Sequence, residues 1–144
     1  MNTPEHADIA TVHAHSSDAP YRVEFDDELA HAWLSDMSTE QGGANDGPTP
    51  EHLLLSSLGA CTAITLRMYA ARKQWPLEAV DVELQFNPDG KPATGTELRR
   101  RIVLRGALDD SQRERLLQIA NACPIHKALT GDVRIASALV DAVA

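Results

Sequence analysis

The stretch Pro50–Lys73 constrains this chain more than any other part of it. Thr49 is a good N-cap and Pro50 suits the first helical position. The spacing predicts one long helix, about 36 Å at 1.5 Å of rise per residue. Along it Leu53, Leu54, Leu55, Leu58, Ala60, Cys61, Ala63, Ile64 and Leu66 point in nearly every direction around the axis. A helix apolar all round has to be buried on all sides. With 144 residues the chain has little protein to wrap around it. The expectation is a central helix sheathed by sheet, with a partner subunit completing the coat. Residues 53–66 form the most apolar run. They include serines, follow Glu51 and His52, and fall short of the ~20 residues a bilayer demands. The segment reads as a core helix and not as a membrane span.

The flanking segments read as strands and short helices. Residues 9–15, 21–25 and 29–34 each alternate or nearly so, with turn residues between them, which predicts an antiparallel meander. Residues 42–50 are a breaker-rich loop without the Gly-Lys-Ser/Thr of a phosphate cradle. Residues 80–86 and 97–105 are two further strands around a turn at residues 87–90. In the second strand Leu98, Arg100, Ile102 and Leu104 share one face, while Arg99, Arg101, Val103 and Arg105 form a basic face that reads as solvated. Asp109 or Asp110 caps a helix through Ala122, and a short helix from Pro124 ends at Gly131, read as its C-cap. Val133, Arg134 and Ile135 are expected to begin a last strand. The whole is one domain, residues 1–144, with residues 1–8 as a loose tail.

Charge and composition narrow the class. The net charge of −8 argues against a nucleic-acid partner, which needs a basic surface to release counterions. It disfavours anionic membranes as well. The N-terminus has neither a basic n-region nor an apolar h-region, so no secretory signal is read there, and the expected location is the cytoplasm. Only 4% of residues are aromatic, so Leu, Val, Ile and Ala must build the core.

The chain has two cysteines, 62 positions apart, with no CxxC and no metal-finger spacing. Cys61 lies mid-helix, where burial raises a thiol pKa and leaves it inert. To act as a nucleophile it needs a cation brought by tertiary structure. Cys123 directly precedes Pro124, at the N-cap or first turn of the short helix, where unpaired amides and the dipole favour a thiolate. Local physics therefore makes Cys123 the more acidic. His126 stands three residues on, but Cys123 and His126 alone leave too few ligands for a metal, and no metal or cofactor is expected.

Residues 47–55, Gly-Pro-Thr-Pro-Glu-His-Leu-Leu-Leu, run into residues 58–66, Leu-Gly-Ala-Cys-Thr-Ala-Ile-Thr-Leu. This block resembles the first-cysteine motif of the OsmC/Ohr superfamily, which comprises osmotically inducible protein C and the organic hydroperoxide resistance proteins. Residues 121–129, Asn-Ala-Cys-Pro-Ile-His-Lys-Ala-Leu, resemble its second-cysteine motif. The similarity covers residues 29–135 and favours the OsmC-like branch. The resemblance implies an α+β fold with antiparallel sheets wrapped around long central helices in an intertwined homodimer. It also implies cysteine-based, metal-free reduction of a small hydrophobic hydroperoxide. Cys61 is then the peroxidatic thiolate, Cys123 resolves its sulfenic acid as a disulfide, and an external dithiol, a lipoylated protein in Ohr-type relatives, reduces that disulfide.

The family also uses a Glu and an Arg near the first cysteine. Glu51 matches the Glu, ten positions before Cys61. Ten residues of straight helix place it about 15 Å away along the axis, so it has to act through an arginine or across the dimer. The segment 30–36 carries no arginine where OsmC-like relatives often have one before a histidine, here His31. That leaves Arg22, the only arginine before the central helix, as the candidate cation. The competing readings are a redox-active dithiol protein with another substrate, and a non-catalytic stress-related binding dimer.

Overall fold

Alternating side chains along the first third of the chain build the expected meander. The computed structural model describes residues 9–142, and the tail expected at residues 1–8 lies outside them. Backbone contacts group the described residues into two units, 9–54 and 55–142. In the first unit β1 (Val12–Ser16), β2 (Val23–Asp27) and β3 (Ala32–Ser35) form an antiparallel sheet in the order β1-β2-β3. Phe25 pairs with Trp33 across β2 and β3, and their rings stack at 5.7 Å. After β3 the chain turns around Asp36, 2% exposed. Its carboxylate accepts from the backbone N–H groups of Met37, Ala44 and Asp46, which satisfies a loop that would otherwise bury unpaired amides.

α1 (Pro50–Lys73) starts in the first unit and continues through the second. In the second unit β4 (Leu77–Phe86) and β5 (Leu98–Gly106) form an antiparallel pair running from Leu77↔Gly106 to Phe86↔Leu98. α2 (Asp110–Ala120) and α3 (Pro124–Thr130) follow. Asp109 caps α2 in a reciprocal box with Gln112, which satisfies two amides at once. The core gathers Leu66 and Tyr69 of α1 with Leu116 and Ala120 of α2, and Val80, Ile102 and Leu104 pack on it from the sheet. Gly59 permits a close approach of α1 to the sheet, since a Cβ there would stand 2.8 Å from Leu84 Cδ1.

α1 is covered only in part by its own chain: Leu58, Thr62, Leu66, Tyr69 and Ala70 are buried, but Ile64 is 58% and Met68 67% exposed. By length and hydropathy α1 could cross a membrane. Its buried face carries Thr62, held by a side-chain hydrogen bond from Arg100, and Leu66, packed into the core of the second unit. The strand expected at Val133 does not form, because a strand needs a ladder partner and residues 132–142 find none among the described residues. Gly131 follows α3 in an extended conformation, φ −99° and ψ −160°, instead of the left-handed cap.

Candidate active site

Cys61 sits on the middle turns of α1, half-buried, and Cys123 is the N-cap of α3, fully buried; both are free thiols. The first turn of α3 ties them together. The Ile125 N–H donates to Cys61 Sγ at 3.5 Å, and the His126 N–H donates to Cys123 Sγ at 3.4 Å. A proline at the first helical position costs this turn nothing, because that amide has no intrahelical acceptor. The N-terminal amides expected to serve Cys123 therefore serve Cys61 as well.

The Cys61 thiol lies below its ordinary pKa. Burial pushes it up, but the Ile125 amide, a hydrogen bond from the Cys123 thiol, the Thr65 hydroxyl and the positive charge of Arg100 together outweigh burial. Thr65 Oγ1 lies 3.9 Å from the sulfur, one turn along α1. Each of these groups favours the thiolate over the thiol.

Where the sequence had offered Arg22, the cation whose charge acts on Cys61 within the second unit is Arg100. It reaches from β5, where its Nη1 donates to Thr62 Oγ1 at 3.0 Å and its Nη2 to Asn121 Oδ1 at 2.9 Å. Nη2 also lies 3.1 Å from His126 Nδ1. A guanidinium only donates, so His126 Nδ1 is the acceptor and its proton resides on Nε2. Burial, and then the Arg100 charge, hold His126 below its ordinary pKa, which keeps the ring neutral. Thr62 is completed by donating its own hydroxyl to the Leu58 carbonyl at 2.7 Å. A signal for Arg100 was present in its position, an arginine on the otherwise apolar face of β5. Thr62 and Asn121 stand inside the two cysteine motifs, but nothing in the sequence marks them as partners of Arg100.

The other candidates occupy different settings. Glu51 is exposed in the first turn of α1. Arg22 belongs to the first unit, where it pairs with Glu24 at 3.4 Å and Asp46 at 3.5 Å. His31 is held by Asp27 at 2.8 Å beside the β2–β3 turn. Among the described residues no group of three or more His, Cys, Asp and Glu side chains is placed to hold a metal.

Antiparallel sheets, one long helix and two thiols sharing a helix turn define an α+β dithiol protein. The family model for OsmC-like proteins matches residues 43–138, a span that includes both cysteines. The chain belongs to the OsmC-like family. Among solved structures, an OsmC-like protein from Mycoplasma pneumoniae superposes with a TM-score of 0.73 at 16% identity, covering 87% of this chain and 89% of that one. An organic hydroperoxide resistance protein OsmC from Legionella pneumophila superposes at 0.66 with 21% identity, covering 88% and 93%. The organic hydroperoxide resistance protein OhrB of Bacillus subtilis does so at 0.58 with 22% identity, covering 86% and 92%. These likenesses establish the fold. A comparison with curated protein sequences returned no match.

Proposed function

We propose that the protein is a cytoplasmic, cysteine-based peroxidase that reduces small hydrophobic organic hydroperoxides. The observation that carries this reading is the sharing of one α3 turn by two sulfurs, with Cys61 held toward its thiolate. The family, which includes organic hydroperoxide resistance proteins, supports a peroxide-related role. The Cys61 thiolate attacks the terminal peroxide oxygen and the O–O bond breaks. The sulfur is oxidised by two electrons to a sulfenic acid, and the departing alkoxide takes a proton to leave as the alcohol. The Cys123 sulfur then displaces that hydroxyl as water, forming the Cys61–Cys123 disulfide. An external dithiol, such as a lipoylated protein, reduces the disulfide and is itself oxidised.

In this reading the active protein is a homodimer, and Glu51 and Arg22 reach the thiol from the second copy. The exposed apolar side chains Ile64 and Met68 of α1, with Ile135, Leu139 and Val140 of the tail, support a second copy as their cover.

Thiol titration before and after one equivalent of cumene hydroperoxide tests the reading. Both thiols should disappear rapidly, with an intramolecular disulfide in the peptide map. Cys61→Ser should abolish turnover, and Cys123→Ser should leave a sulfenic acid that a dimedone probe traps. Oxidation no faster than that of free cysteine would reject peroxidase function and favour one of the competing readings. Dimers mixed from Arg22→Ala and Cys61→Ser protomers report whether the site is shared.

A further inference from the structure

The guanidinium of Arg100 touches the residue that follows Cys61 and residues on both sides of Cys123. Thr62 is the residue after Cys61, Asn121 lies two before Cys123, and His126 three after it. One planar group therefore joins α1, the C-cap of α2 and the first turn of α3. Its own backbone is fixed by the sheet, since Arg100 pairs with Leu84 in the β4–β5 ladder. The same Leu84 meets α1 at Gly59, two residues before Cys61. The strand pair thus grips α1 on both sides of the first cysteine.

Charge sets Arg100 apart from its neighbours on β5. Arg99 pairs with Asp89 and Glu97, Arg101 with Glu83, and Arg105 with Asp81. Arg100 has no carboxylate partner among the described residues, and its acceptors are a hydroxyl, an amide and a neutral imidazole. Its positive charge is left unneutralised beside the thiol pair. A half-buried arginine normally finds an anion, and the Arg100 charge here favours the anionic form of Cys61.

We propose that Arg100 is the positioning residue of the Cys61–Cys123 couple, holding the two cysteine-bearing segments in register for disulfide formation and supplying the positive charge that favours the Cys61 thiolate. Forming the bond brings two sulfurs on different helices to about 2.05 Å with a restricted dihedral angle. Segments free to drift would visit that geometry rarely, and positional freedom of this kind is costly to rate. The proposal rests on the dithiol reading given above, but its test needs no hydroperoxide.

Two measurements on full-length protein test it. The first is the pH profile of iodoacetamide alkylation of Cys61 in a Cys123→Ser background. The second is the rate of intramolecular disulfide formation with diamide, a diazene that takes up two electrons and two protons as the disulfide forms. Arg100→Gln should move the alkylation midpoint to higher pH and slow the disulfide by about tenfold or more, the scale of losing charge-assisted hydrogen bonds. Arg100→Lys keeps the charge without the fork, so it should restore the pH profile and leave disulfide formation slow. Asn121→Ala should keep the wild-type pH profile and slow the disulfide by roughly threefold to tenfold.

Wild-type behaviour of Arg100→Gln in both assays overturns the proposal. Should Arg100→Gln fail to fold by circular dichroism, wild-type disulfide rates in both Arg100→Lys and Asn121→Ala overturn it instead. Wild-type protein that closes the disulfide with diamide yet ignores cumene hydroperoxide defeats the peroxidase reading alone, leaving the role of Arg100 to be judged on its own data. Failure to form the disulfide with diamide defeats both.

Discussion

At Cys61 the balance between thiol and thiolate is set by several weak donors acting against one opposing effect. Burial favours the neutral thiol, while the Ile125 amide, the Cys123 thiol, the Thr65 hydroxyl and the Arg100 charge favour the anion, and the anion gains. A lowered pKa means that the reactive thiolate is populated from a lower pH upward. The alkylation rate of Cys61 should therefore rise through a midpoint at lower pH than that of an unperturbed cysteine thiol in a short peptide, as read by iodoacetamide labelling and mass spectrometry across pH. Thr62 is a separate matter of stability. It is fully buried, and its hydroxyl both accepts from Arg100 and donates to Leu58. Thr62→Val keeps the shape but leaves an Arg100 N–H without its acceptor, and should cost about 1–3 kcal/mol in urea unfolding. The two cysteines were legible because each lies in a motif of several residues. Arg100 was half-legible, as an arginine on an apolar strand face. Its partners were not, because they come from three helices that only the fold brings together.

Elements were legible where the period was local. The meander, α1, the β4–β5 pair and the cap of α2 follow from alternation, helical spacing and capping residues within a few positions of each other. Their ends shifted by two or three residues, as with β1 and β2, because ladder pairing and not propensity decides where a strand stops. The strand expected at Val133 shows the limit. Alternation there is real, but a strand exists only with a partner, and local sequence does not name one. Gly106 shows what the ladder itself demands. It ends β5 at φ +139°, and a Cβ there would run into the Pro76 carbonyl. Gly106→Ala faces both backbone strain and a clash with main chain that cannot swing aside. It should lower stability by about 2 kcal/mol or more, and thermal unfolding by circular dichroism would show the loss. Asp109→Ala, which removes only the α2 cap, should cost about 1 kcal/mol.

Scaled to the whole molecule, the all-round apolarity of α1 is answered only in part. One stripe is consumed by the chain's own core, and another, with Ile64 and Met68, faces outward. Burying a side chain of this size is worth about 1.5–3 kcal/mol, and in a twofold assembly each contact counts twice. A net charge of −8 opposes association, so apolar contact has to supply the attraction. Sedimentation analysis of the wild-type protein should give twice the 15.6 kDa chain mass. Met68→Asp places a charge on the outward stripe, where burial without a partner is costly. It should return the mass to that of one chain while leaving the far-ultraviolet circular dichroism spectrum intact, since Met68 is 67% exposed within its own chain. A Met68→Asp protein that remains dimeric would remove this stripe from the interface, and a monomeric wild type would remove the dimer itself. Should the charge also abolish hydroperoxide turnover with the Cys61–Cys123 disulfide still forming in diamide, the second copy would be contributing to the chemistry, and not only to the packing of α1.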